Sequence, residues 1–411
     1  MGDNANARRR GTTVATYLAE RPFDNFRSSI TEPDYFFGRT VLLYKIQQYP
    51  LQVRILLGGR RTGKTSLLNA IRWQLLASGQ RSDNPYKVFP VLINLNQEQP
   101  QSLANLRHLI ALRSREAINE VQNQRLATCK SSYRRLLQQI SGAGVSLFGI
   151  SLNFSNPNIS RELTHEEFRQ ELLQVMRILK KQNLSGLCLL FDGADFIVKQ
   201  DWSNDAWSYF RGLKDTDTAL KSFLGLILSG YRNLKDYQQQ VGSPLLNIAE
   251  IEWLGTLEKE ATYQLIKHRI QQERVSLLKS DIDLVMTWAG CHPYLTQQML
   301  NIMFESKNVS TTAASDTFIN QLLRQHDKDF SGWWDESQKT YGFSHAEQEV
   351  YRTLVELREG SIDAVAQLAG LSFGETADAL EVLVGTGIVQ QAGDEEYALG
   401  AKMFEKWLQR E

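Results

Sequence analysis

The residues best suited to chemistry are Gly58, Gly59, Arg60, Arg61, Thr62, Gly63, Lys64, Thr65 and Ser66. Gly58, Gly63, Lys64 and Thr65 fit G-x-x-x-x-G-K-[ST], with the apolar run Val53–Leu57 before them and the helical pattern SLLNAIRWQLL after. A glycine turn ending on a helix N-terminus aims backbone N–H groups at an anion, so the stretch reads as a phosphate cradle. Lys64 adds a point charge for the β and γ phosphates of a triphosphate, and the Thr65 hydroxyl suits Mg²⁺.

The partner expected for Thr65 is a carboxylate closing an apolar strand adjacent to the first. LCLLFDGAD supplies it as Asp192, a candidate Mg²⁺ ligand acting through water. General-base hydrolysis needs a further acid near the γ-phosphate, and the next position is Gly193, which has no side chain for the task. Slow hydrolysis or a retained nucleotide is the direct expectation. Asp195 either replaces the missing acid or caps the helix that follows. Ser229, in LILSG, is a candidate sensor of the γ-phosphate or a turn residue. Arg211 is either a charge-stabilising arginine, acting in cis or towards a neighbouring subunit, or an ordinary surface arginine.

Positioning these residues requires a parallel sheet. Five strands are predicted at Val53–Leu57, Val88–Leu95, Leu187–Phe191, Phe223–Leu228 and Asn247–Trp253, and their near-continuous apolarity suits strands buried on both faces. Helical patterns separate them, giving an α/β fold with a central five-stranded parallel sheet. Helices are expected from about Thr164 to Lys181, from a Thr256 cap to about Arg274, and over Asp281–Glu305 and Asp316–Phe330. The alternation at Val145, Leu147, Ile150, Leu152 and Phe154 reads as a small hairpin or a loop. The last unit has helices ending at Leu357 and spanning Ile362–Ala369 and Gly374–Val384, then two strands around Ala392–Gly393–Asp394, which is the winged-helix pattern. The expected domains are a flexible basic arm (1–33, with Arg8, Arg9 and Arg10), a P-loop domain (34–254), an all-helical lid (255–340) and a winged helix (341–411).

Composition narrows the function. Of 411 residues, 46 are basic and 46 acidic, and 42% are hydrophobic, which excludes disordered and fibrous classes. No long apolar run or secretory h-region appears, so a cytoplasmic chain without membrane contact is expected. Cys129, Cys188 and Cys291 are too scattered for a disulfide framework or a zinc site. The zero net charge hides an asymmetry: His345–Glu411 holds 5 basic and 13 acidic residues. The third helix of the winged-helix pattern carries Glu375, Asp378 and Glu381 and no basic residue, so it would be repelled by a duplex and is expected to meet protein instead. Nucleic acid would have to be met in the basic segment 101–140, through Arg107, Arg113, Arg115, Arg134 and Arg135. The same arginines also fit a solvated helix or a partner surface.

On these motifs the chain resembles an AAA+-type ATPase of the STAND group, the signalling NTPases that include NOD-like receptors and bacterial defence ATPases. Further support comes from YFFGR, with Phe37, Gly38 and Arg39 ahead of the first strand, and from Gly290, His292, Pro293 and Tyr294 in WAGCHPYL. The resemblance implies ATP/ADP and Mg²⁺ as cofactors, Arg39 near the adenine, and His292 and Pro293 in a lid over the nucleotide. His292 otherwise caps a helix start. The family also implies an ADP-bound resting form and an ATP-bound form that assembles into a homo-oligomer. The expected function is therefore a nucleotide-dependent switch with slow hydrolysis. The alternatives are a DNA-associated AAA+ ATPase of the initiator or transposition-regulator type, and a non-hydrolysing scaffold.

Overall fold

The computed structural model describes residues 29–78, 87–123, 162–241, 243–308, 316–335, 337, 342–393 and 395–410. Most of the expected basic arm, the 141–160 stretch, Cys129, Arg134, Arg135 and Asp394 lie outside the described residues. The chain divides into two compact units. A sheet unit consists of Arg39–Gly59 and Lys64–Leu254, and a helical unit of Met1–Gly38, Arg60–Gly63 and Gly255–Glu411.

In the sheet unit, β1 (Val53–Leu57), β2 (Val88–Asn94), β3 (Gly186–Asp192), β4 (Leu224–Gly230) and β5 (Glu250–Trp253) pair in parallel in the order β2-β3-β4-β1-β5. Every residue of β1, β3 and β4 is buried, as uninterrupted apolar runs require. The expected adjacency of the Asp192 strand to β1 is corrected by this order. β4 lies between them, because apolar content marks a central strand without naming its neighbours. β5 is shorter than expected: a 3₁₀ turn takes up Leu246–Ile248, and only Glu250–Trp253 reaches the sheet. Helices Lys64–Ser78, Leu103–Asn123, His165–Lys181 and Ser203–Asp215 belong to the same unit. The His165 helix starts on a reciprocal cap between Thr164 and Glu167. Phe168, Phe191, Trp207 and Phe210 are fully buried aromatic rings of this core.

The helical unit contains helices Lys259–Glu273, Lys279–Ala289, Pro293–Asn308 and Asp316–Trp334. The single helix expected over Asp281–Glu305 is in fact two. Gly290 adopts φ 57°, which ends the first helix, and Pro293 occupies the first turn of the second. A Cβ at Gly290 would also lie 2.2 Å from the Gly400 carbonyl oxygen. Next come His345–Leu357, Ile362–Ala369 and Phe373–Thr386, whose N-caps are Ser344, Ser361 and Ser372. Strands β6 (Glu359–Ser361), β7 (Val389–Gln391) and β8 (Glu396–Leu399) form an antiparallel sheet in the order β6-β8-β7 and complete the winged helix. Among the described residues no helix is long and apolar enough to cross a membrane.

A closing helix, Lys402–Leu408, was not foreseen, and it supplies the centre of the helical unit's core. Phe404 is fully buried, with ring centroids of Tyr351, Phe330, Trp407, Trp333, Trp334 and Phe343 between 5.2 and 6.2 Å away. Truncating a ring so enclosed removes both transfer energy and packing. Phe404→Ala is expected to destabilise this unit by ~3–5 kcal/mol, read as a lowered denaturant midpoint with the denaturant slope unchanged.

Candidate functional site

The C-terminal ends of β1, β3 and β4 bring the sheet unit's candidate residues together. Strand register sets Leu57 opposite Gly230 and Leu56 opposite Ser229, and the Gly58 N–H donates to the Gly230 carbonyl at 3.2 Å. The loop leaving β1 therefore starts beside the end of β4. Lys64 donates from Nζ to the carbonyl oxygens of Gly58 at 2.6 Å and Gly59 at 2.8 Å, so its ammonium is held over its own loop. Arg61 and Gly63 have φ values of 66° and 91°, the left-handed turns that let successive N–H groups converge. Thr62 and Ser66 are buried, and Arg60 is exposed.

Asp192 joins two of these strand ends to the start of the helix that follows the loop. Its Oδ2 accepts from Thr65 Oγ1 at 2.8 Å, and its Oδ1 accepts from Ser229 Oγ at 2.8 Å. Ser229 is fully buried; its hydroxyl also accepts the Gly193 N–H at 3.3 Å, and its carbonyl accepts the Ala194 N–H at 2.7 Å. Ser229 thus sets the turn after β3 besides bonding the carboxylate. Thr65 and Asp192 offer hard oxygen donors side by side, which fits the chemistry of Mg²⁺.

Asp195 neither faces open solvent nor caps its own helix. Its Oδ1 accepts the Tyr231 N–H at 3.1 Å beyond the end of β4, and a Cβ at Gly230 would lie 3.1 and 3.2 Å from its two carboxylate oxygens. Burial pushes its carboxyl above the usual carboxylate range, opposed by the Tyr231 N–H and the charge of Lys64. Arg211 pairs with Asp215 one turn along its helix and donates to the Pro244 carbonyl at 3.2 Å. Arg39, at φ 59°, is buried and donates to the Leu254 carbonyl.

Within the helical unit, the Arg61 guanidinium lies 4.2 Å from the centre of the Tyr294 ring, and its Nε donates to Asp329 at 3.1 Å. The Tyr294 hydroxyl donates to the other Asp329 oxygen at 3.0 Å, with His326 Nδ1 3.5 Å from that oxygen. Burial alone would raise the Asp329 carboxyl; His326, Arg61 and Tyr294 outweigh it and hold it at about 2. His292 is fully buried against Trp333 at the start of the Pro293–Asn308 helix, its Nδ1 facing the Leu295 N–H at 3.5 Å.

Three of the five arginines considered for nucleic acid are engaged inside the sheet unit. Arg107 sits 5.2 Å over the Tyr209 ring, Arg113 pairs with Glu98 and Glu116, and Arg115 pairs with Glu171. Motif reading missed Asn96, which stands against Gly193, and Asp329, which holds Arg61. The polar run NLNQE directly after the β2 apolar run was a signal for Asn96. Nothing in sequence spacing marks Asp329.

Asp195 yields a pH-dependent expectation. Its folded pKa lies above the unfolded value, so the folded state holds the proton more tightly and stability falls as pH rises through the folded value. Asp195→Asn keeps the acceptor for Tyr231 and removes the charge. Its melting temperature is expected to exceed wild type by about 2–4 °C near pH 7.5, with the gap closing towards pH 4, in thermal scans across pH.

No family model and no curated protein matches the sequence. Among solved structures, the Walker-type ATPase PABY2304 of Pyrococcus abyssi aligns over 93% of this chain and 99% of that one, at 16% identity and a TM-score of 0.57. The Aeropyrum pernix ORC1 protein, solved in complex with DNA, aligns over 96% of each chain at 13% identity and a TM-score of 0.43. The Thermotoga maritima RuvB Holliday junction branch migration motor covers 92% of this chain and 97% of its own, at 11% identity and a TM-score of 0.37. The Pyrococcus structure carries the conclusion: this chain has the fold of a Walker-type P-loop ATPase.

Proposed function

We propose that the chain binds ATP or ADP with Mg²⁺ and works as a STAND-like switch with slow hydrolysis, its nucleotide state controlling closure and self-association. The observation that carries this reading is the network Thr65–Asp192–Ser229 at the C-terminal ends of β3 and β4, beside Lys64 and next to a residue with no side chain. Loop N–H groups and Lys64 would hold the phosphates, while Thr65 and Asp192 would hold Mg²⁺, which supplies charge neutralisation at the phosphates when bound. In this reading 34–254 is the nucleotide domain, 255–340 the lid with His292 and Pro293, and 341–411 a winged helix that meets protein. Asp195 and Ser229 stand nearest the chemistry, and Arg211 is the weakest of the catalytic candidates because its guanidinium is already paired. The engagement of Arg107, Arg113 and Arg115 within the chain speaks against a nucleic-acid role for the basic segment, leaving Arg134 and Arg135 as its remaining candidates.

The test is to denature freshly purified protein and identify the released nucleotide by chromatography and mass. Near-stoichiometric ADP is expected, and Lys64→Ala should come out empty. Intact ATP in wild type would favour the non-hydrolysing scaffold. A wild-type chain that is empty and takes up neither ATP nor ADP with Mg²⁺ would sink the proposal.

A further inference from the structure

The end of β3 has a polar neighbour that none of the motifs names. Strands β2 and β3 run in register with Asn94 opposite Asp192, and the chain leaving β2 passes directly into the short helix Leu95–Glu98. Asn94 caps that helix by accepting the Gln97 N–H at 3.1 Å, which fixes the direction in which Asn96 leaves the backbone. Asn96 comes to rest against Gly193. A Cβ built on Gly193 would lie 2.1 Å from Asn96 Nδ2 and 2.7 Å from its Cγ. Gly193 also has φ 76°, a backbone state that favours glycine. The space a side chain at 193 would need is therefore filled by a carboxamide arriving from the neighbouring strand. Asn96 is exposed, and its carboxamide makes no hydrogen bond with the described residues.

The chemistry of that group is distinct from that of an acid. A carboxamide offers two N–H donors and one acceptor oxygen, and it does not take up a proton near neutrality. It can donate to an anionic oxygen or orient a water, but it cannot serve as a base.

We propose that Asn96 is the positioning residue for the terminal phosphate of the bound triphosphate, standing where the missing acid would act. This rests on the nucleotide reading above. Hydrolysis forms a bond from the water oxygen to the γ-phosphorus and breaks the bond from that phosphorus to the β,γ-bridging oxygen, which keeps the electron pair and leaves as ADP. With no side chain at Gly193 and the Asp195 carboxylate engaged by the Tyr231 N–H, the water's proton passes to a γ-phosphate oxygen. Asn96 orients the water and donates to the γ-phosphate, so it discriminates triphosphate from diphosphate and permits turnover without accelerating proton removal.

The experiment uses the full chain with Mg²⁺ and measures equilibrium binding of ATP and ADP separately, alongside single-turnover hydrolysis. Asn96→Ala is expected to weaken ATP about 5- to 10-fold, the size of one lost polar contact, while ADP stays within about twofold and single-turnover hydrolysis falls about 10-fold. Gly193→Ala, whose methyl group would displace the intact carboxamide, should reproduce the same split between ATP and ADP. Equal weakening of both nucleotides would show a merely structural role and overturn the proposal, as would a variant indistinguishable from wild type. If wild type binds neither nucleotide, the nucleotide reading itself has failed, an outcome separate from a normal wild type with an unaffected variant.

Discussion

The Asp192 carboxylate accepts one hydroxyl from the helix after the phosphate loop and one from the end of β4. Each is a hydrogen bond to a charged group, worth ~1.5–3 kcal/mol and costly to leave unmade in a buried setting. Because β4 lies between β3 and β1, the carboxylate can reach Thr65 only if all three strands end in register. The full burial of β1, β3 and β4 and the Gly58 bond to Gly230 both serve that register. The core of the sheet unit is thus the device that places one carboxylate against one hydroxyl.

The two acids at these strand ends live under different conditions. Asp192 has both oxygens met by hydroxyl donors, whereas Asp195 is buried with only backbone N–H donors, chiefly that of Tyr231, and the charges of Lys64 and Lys199. Keeping a carboxylate there opposes stability, and a group retained at such a cost commonly belongs to function. In the helical unit, Asp329 is the reverse case: its partners hold the charge, and its contribution is present above about pH 4 and lost as pH falls towards 2.

Much of this was legible in the sequence because it depends on local pattern. The runs VRILL, LCLLF and FLGLIL marked buried strands and G-x-x-x-x-G-K-T marked the loop, whereas the Thr256 cap expected for the first helix after β5 is corrected: that helix starts at Lys259 with Glu258 at its N-cap and no side-chain cap. What stayed hidden depends on which segments become neighbours. The intervening β4, the strand Glu359–Ser361, with only three residues and no apolar run, and the closing helix centred on Phe404 have no local signature strong enough to place them. The split at Gly290 was present as a glycine followed by a proline, and a long periodic pattern concealed it. Asn96 needed the pairing of β2 with β3 before its place could be known.

The crowding at Gly193 bears on how a lineage carrying this sequence could change its rate of turnover. An acid introduced at 193 meets a left-handed backbone that strains any side chain, and it must also push aside the exposed Asn96 carboxamide. An acid introduced at 96 meets neither obstacle, and Asn to Asp is one nucleotide away in the genetic code. The glycine therefore acts as a ratchet: its left-handed backbone strains any side chain at 193, and the less strained mutational path runs through position 96, just beyond the end of the adjacent strand.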